Sequence, residues 1–138
     1  MIVSKQIEIK TKGHTDIIDI TPLVEKKLAE TGLSIGTLTV FVIGSTAGVT
    51  TIEYEPGLLK DLQVAFESVA PLKGDYEHNL RWGDGNGYAH IRASLLKASL
   101  TIPFVNKRLT LGTWQQVVFV DFDNRPRQRK IALQFMGE

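Results

Sequence analysis

Two of the three histidines in the chain, His78 and His90, bracket the run Asn79-Leu80-Arg81-Trp82-Gly83-Asp84-Gly85-Asn86-Gly87-Tyr88-Ala89. The glycines let the backbone take positive φ and approach a ligand closely. Asp84 and Asn86 place oxygen donors between two imidazoles, an inventory that suits zinc or a similar divalent ion, with manganese and magnesium as the other candidates. The same residues equally suit a loop that uses Asp and Asn for its turns and satisfies its histidines by hydrogen bonds, and spacing alone leaves both readings open. Further on, His90, Ser94 and Lys97 recur at i, i+4 and i+7, a stripe beside the apolar Ile91, Leu95 and Ala98. A glycine-rich segment feeding a helix N-terminus can cradle a phosphate or carboxylate. It is not a P-loop, because the Gly-Lys-Ser/Thr ending is missing. Arg92 and Lys97 read either as attractors of an anionic substrate or as solvated helix charges.

Three other places offer chemistry. Gly44-Ser45-Thr46-Ala47-Gly48 has hydroxyls and free backbone donors for an anion, without the His and acid partners that would make Ser45 a nucleophile. Gly112-Thr113-Trp114-Gln115 combines a large ring and an amide that could receive a flat heterocycle, or places a core tryptophan behind a bulge glycine. Arg125, Arg127, Arg129 and Lys130 read as a basic strand edge guarded against pairing with another chain, ahead of any nucleic-acid contact.

The elements that must position these residues follow from pattern. Alternation over Ile2 to Thr11, a turn at Lys12-Gly13-His14 and a short run from Asp16 to Ile20 predict a hairpin. Thr21-Pro22 as N-cap and first helical residue, with Gly32 as C-cap, predicts a helix over 22–31. Gly36 to Ile43 predicts a central strand, with Leu38, Val40 and Val42 on one face and Thr37, Thr39, Phe41 and Ile43 on the other. Pro56 opens an amphipathic helix to about residue 69, residues 71–88 form a long loop, and a short helix runs from Ala89 to Ala98. Extended segments then follow at Ser99 to Phe104, Gln115 to Phe122 and Arg127 to Met136, with turns at Asn106-Lys107 and Asp123 to Pro126.

This order lacks the regular alternation of a doubly wound sheet. It predicts one α+β domain over residues 1–138, a largely antiparallel or mixed sheet or sandwich with helices packed on one side. Val117 and Phe119 lie opposite Val118, Val120 and Phe122, so this strand is apolar on both faces. One face goes to the helices and the other needs a second sheet or a subunit interface. With 138 residues, a net charge of +1, 22% charged residues and no cysteine, the composition excludes disulfide frameworks, thiolate metal clusters and cysteine nucleophiles. No apolar run approaches a membrane span, no basic start precedes an apolar stretch, and near-neutral charge argues against nucleic acid as a partner. A cytoplasmic location is expected.

The combination of Ser45-Thr46-Ala47-Gly48 with Glu53, His78 with Asp84-Gly85-Asn86, Ala89-His90-Ile91-Arg92-Ala93-Ser94-Leu95, Gly112-Thr113-Trp114-Gln115 and the ending Gly137-Glu138 resembles the small YjbQ-like proteins, some of them described as secondary thiamine-phosphate synthases. The resemblance spans nearly the whole chain. It implies a homotrimer with a site near subunit contacts and transfer between phosphorylated heterocycles at a histidine-lined pocket. Glu53, His78, His90 and Asn86 would be its catalytic residues. His78, His90 and Asp84 would hold a divalent metal, and Ser45, Thr46, Arg92, Lys97, Trp114 and Gln115 would bind a small phosphorylated or anionic ligand. Two positions depart from the family pattern: Gly44 stands where a histidine is usual, and Ile52 where an asparagine is. The alternative reading is therefore a ligand-binding or interaction trimer that has lost part of its catalytic set.

Overall fold

The computed structural model describes all 138 residues. Eight strands and four helices follow in the order β1 (Ile2–Thr11), β2 (Asp16–Asp19), α1 (Thr21–Thr31), β3 (Gly36–Ile43), β4 (Ala47–Ile52), α2 (Pro56–Val69), α3 (Glu77–Trp82), α4 (Gly87–Leu96), β5 (Ser99–Val105), β6 (Arg108–Leu109), β7 (Gln116–Asp121) and β8 (Arg127–Gly137). They form a five-stranded sheet, β1-β8-β3-β5-β6, and a three-stranded sheet, β2-β7-β4, both antiparallel throughout. The fold is α+β, as the pattern predicts.

The two faces of β7 explain the layering. Val117 and Phe119 join Leu38, Val40, Leu133 and Phe135 in the core between the sheets. Val118, Val120 and Phe122 face the other way, onto Tyr88, Ala89 and Ala93 of α4 and the apolar side of α2. Phe66 meets Phe122 edge-on at 4.8 Å, a favoured aromatic geometry. The second sheet that β7 requires is supplied by the chain itself. Helix α1 lies across one end of the sandwich, where Val24 and Leu28 are buried against both sheets.

At the opposite end the chain passes from one sheet to the other three times, through residues 12–15, 44–46 and 122–126. These crossings are tied together. The His14 N–H donates to the Asp123 carbonyl at 2.7 Å, and the Phe122 N–H donates to the Thr46 carbonyl at 2.9 Å. At Gly13, with φ of +73°, a Cβ would lie 2.4 Å from the Arg125 carbonyl oxygen, so only glycine fits this approach. The candidate site is built at this end.

Several sequence expectations need correction. The Thr21 hydroxyl does not cap α1; it receives the Val117 N–H at 2.8 Å, and Ile20 is the capping position. Residues 47–52 form a strand that the pattern missed, because its inward positions are small. The loop read over 71–88 contains α3. On α4 the buried face carries Tyr88, Ala89, Arg92 and Ala93, whereas Ile91 and Leu95, expected to face the core, are exposed. Strand β8 is no edge: it is hydrogen-bonded to β1 on one side and β3 on the other.

Candidate functional site

The sheet-crossing turns enclose a polar cleft of about 540 Å³ with no hydrophobic residue in its lining. Gly44, Ser45 and Thr46 come from the β3–β4 crossing, Asn86 and His90 from the start of α4, and Arg125, Arg127 and Arg129 from the β7–β8 corner and β8. Beneath it lies a buried network. Arg129 donates Nε to Asp121 Oδ2 at 2.7 Å and Nη2 to Asp121 Oδ1 at 2.8 Å, a two-point guanidinium–carboxylate pair, and Nη2 also reaches the Thr46 hydroxyl at 2.6 Å. Asp121 takes a further bond from the Thr11 hydroxyl and one from the Asp123 N–H at 3.0 Å.

Asp123 is the second buried carboxylate. It accepts from the Thr46 hydroxyl at 3.0 Å, Asn86 Nδ2 at 3.2 Å and the Asn124 N–H at 2.8 Å, with Arg127 Nη1 at 3.3 Å. Burial alone would raise its pKa, but the bonds from Asn86, Asn124 and Thr46 and the Arg127 charge together outweigh it, and the carboxyl titrates below the ordinary aspartate value. Asp121 and Asp123 are thus turned inward onto donors, while three guanidinium groups line the cleft with one exposed carboxylate, Asp84. That arrangement suits an anion.

His78 and His90 come together with ring centroids 4.3 Å apart at a 40° tilt. His78 Nδ1 is buried without a hydrogen-bond partner, its nearest acid being Asp84 at 3.7 Å. Burial lowers the His90 pKa, and the charge of His78 lowers it further, against smaller opposite effects of Asp123 and Asp84. His90 is therefore neutral at pH 7 and able to accept a proton. No three His, Cys, Asp or Glu side chains are arranged to hold a metal ion. The imidazole pair and the more distant Asp84 do not fit a divalent cation as placed.

Other expected site residues lie elsewhere. Arg92 is buried behind the cleft: Nε donates to the Ala70 carbonyl at 2.9 Å, Nη1 to the Thr15 hydroxyl at 3.0 Å and Nη2 to Glu67 at 2.8 Å, with the guanidinium 4.9 Å from the Tyr88 ring. It staples α4 to α2 and to the β1–β2 turn. Lys97 lies in an adjoining hollow that shares Gly44 and Ser45 with the cleft. Glu53, Trp114 and Gln115 line a separate shallow depression at the other end of β4. At roughly 3.3 Å per residue, this is about 20 Å from Thr46 along the strand. The Gln115 amide is engaged locally, donating to the Thr51 hydroxyl and accepting from the Gly112 N–H, each at 3.0 Å.

Sequence reasoning missed Asp121, Asp123, Arg127 and Arg129 as site residues. Their signal was the pairing of Asp-x-Asp with Arg-x-Arg across the Asn124-Arg125-Pro126 turn, since i and i+2 on a strand share a face.

Comparison with known proteins places this architecture. Residues 5–138 match the family described as UPF0047 protein YjbQ-like. UPF0047 protein YugU of Bacillus subtilis is 39% identical over 135 residues, covering 96% of this chain and 98% of its own. A UPF0047 protein of Methanothermobacter thermautotrophicus is 34% identical over 137 residues, covering 99% of this chain and 94% of its own. The crystal structure of a YbjQ-like protein of unknown function from Sulfolobus solfataricus superposes with a TM-score of 0.94 at 30% identity, covering 100% of this chain and 99% of the other. The matching residues run from the first strand to the last, and the chain belongs to the YjbQ-like UPF0047 family.

Proposed function

We propose that the polar cleft binds a small phosphorylated molecule and that the His78–His90 pair exchanges a proton with it. The observation that carries this reading is the composition of the cleft: three guanidinium-bearing side chains, two hydroxyls and an imidazole outnumber two lining carboxylates, of which Asp123 is bonded inward and only Asp84 is exposed. Arg125 and Arg127 attract the anion, Ser45 donates to it, and His90 relays a solvent proton to the released diphosphate while Asn86 holds the start of α4 against Asp123. Lys97, in the adjoining hollow, neutralises a second anionic group. The reaction class is that implied by the family resemblance, thiamine-phosphate-synthase-like transfer, in which a bond from carbon to diphosphate breaks as a carbon–nitrogen bond to the phosphorylated acceptor forms. No step is assigned to a metal.

A homotrimer is part of the proposal. Phe41, Ile43 and Met136 stand exposed on the uncovered face of the larger sheet, and Ile91 and Leu95 on α4, apolar surface of the kind that partner subunits cover.

The rival reading is a binding protein without turnover. It is favoured by Gly44 and Ile52 and by the placement of Glu53 at the far end of β4, where it cannot act on a ligand in the same subunit's cleft. Rescue of a thiamine-requiring strain separates the two. The catalytic reading expects rescue by the wild-type protein and none by the His78→Ala, His90→Ala double variant; equal rescue, or none by either, removes it. Elemental analysis of untagged protein tests the metal, with near-stoichiometric content lost in the double variant as the result that would restore it.

A further inference from the structure

Arg129 is 4% exposed, yet its guanidinium is only partly used. Nε and Nη2 are held by Asp121 and Thr46, while Nη1 has no partner within the chain and is not sealed from solvent. What uncovers it is Gly44. A Cβ at this position would come within 2.9 Å of Nη1, and the Gly44 φ of +144° is one that side-chain-bearing residues rarely adopt. A Cβ at 44 would press on Nη1, so that one of the two would have to shift and the nitrogen would lose its open side.

We infer that Arg129 Nη1, uncovered by Gly44, is the anchor of the cleft and selects a terminal phosphate group. The inference rests on the phosphate-binding reading and sharpens it. Asp121 fixes the guanidinium plane from behind, so the exposed nitrogen is presented in one orientation, already desolvated on its other side. Arg125 is exposed and Arg127 half-buried; they grip the same anion from the rim. A nitrogen at the floor is reached only by a group that enters end-first. A phosphate monoester or the end of a diphosphate offers three free oxygens for this, whereas a phosphodiester flanked by two substituents is held off at the rim. The residue that the charge pattern marks as edge protection thereby becomes the specificity element of the site.

The test uses the full chain, with inorganic phosphate and dimethyl phosphate as probes, followed by calorimetry and by the ¹⁵N signals of the arginine guanidinium groups. Wild type is expected to bind phosphate with a saturating shift of the Arg129 signal, and dimethyl phosphate at least about tenfold more weakly, the scale of one lost charge-assisted bond. Gly44→Ala is expected to weaken phosphate binding by about tenfold and abolish the Arg129 shift. Its Arg129–Asp121 pair, read from the same signal in the free protein, stays intact. Arg125→Ala, at the rim, keeps the shift and loses affinity mainly at low salt. Binding that shifts only Arg125 and Arg127, or survives unchanged in Gly44→Ala, overturns the role of Arg129 and leaves the phosphate cleft standing. No binding of phosphate to the wild type overturns both.

Discussion

At one end of β4 and β7, Thr46, Asp121 and Asp123 are buried and bonded to one another's partners through Arg127 and Arg129; at the other end, Glu53, Trp114 and Gln115 stand in solvent on turns. Both ends hold residues that a reader of the sequence would pick for chemistry. They differ in what fixes each side chain. At the first end three separate chain crossings converge, so Thr46, Asp121 and Asp123 are each held from two or more directions. At the second, the Gln115 amide closes a local turn and the Trp114 ring is 72% exposed. Positioned polar groups are what a ligand can recognise without paying again for their ordering.

The largest expected effect comes from breaking the buried pair. Asp121→Ala removes the two-point pair and leaves the buried Arg129 charge only the more distant Asp123 at 3.8 Å, and should cost about 3 kcal/mol in urea-unfolding stability. The matched change at the other end, Trp114→Ala, should stay within about 0.5 kcal/mol. If the two variants unfold at the same urea concentration, the contrast between the ends is wrong.

Arg92 sharpens the comparison from behind the cleft. Arg92→Ala removes bonds to Ala70, Thr15 and Glu67 and is expected to lower stability by about 2 kcal/mol, discounted for the exposed Glu67 side of the network. Phosphate affinity of the folded fraction should not change. A selective loss of affinity with stability intact would return Arg92 to the binding residues.

Titration reports on the same network. Because the folded protein holds the Asp123 pKa below its unfolded value, this group contributes stability above about pH 3.9 that is lost as the pH falls toward the folded pKa. His90 behaves alike in a higher window. Its folded pKa is lowered, so the unfolded chain binds its proton first and stability declines as the pH falls below about 6.5. His78→Ala should raise the His90 pKa measured by NMR without restoring it fully, since burial acts before His78 does; an unmoved His90 would show that the rings do not interact.

Within the network the smallest effect is expected at Thr46, whose hydroxyl donates to Asp123 and accepts from Arg129. Thr46→Val should cost about 1–2 kcal/mol by thermal or urea unfolding. A neutral result would mean that the carboxylate–guanidinium pairs hold this end without it.

What was legible in the sequence was local. Pro22, Pro56 and Gly32 mark helix ends because capping and φ are decided within a few residues, and Gly32 does take the left-handed conformation. The Asn106-Lys107 turn, with both residues at positive φ, was legible for the same reason. Apolar residues on both faces of β3 marked it as central, and it is, although Phe41 and Ile43 on its second face are exposed. Strand β4 escaped because Ala47 and Gly48 carry no hydrophobic signal, although both are buried. The α4 face was inverted because a buried Arg92 reads as solvent-facing until its three acceptors, drawn from other elements, are known. Of the candidate site, His90, Asn86, Ser45 and Thr46 were found by type and spacing and do meet in one cleft. Arg129 could not be placed in the site, because its role depends on Asp121 from the other sheet and on an absent side chain at Gly44, neither of which periodicity encodes.

The central claim is that the end built by the three crossings, and not the Trp114 end, holds the ligand. Backbone amide shift mapping of the full chain with inorganic phosphate tests it directly. The account predicts perturbations confined to residues around Gly44, Ser45, Thr46, Asn86, His90 and Arg125 to Arg129, saturating together; shifts centred on Glu53 and Gly112 to Gln115 would contradict it.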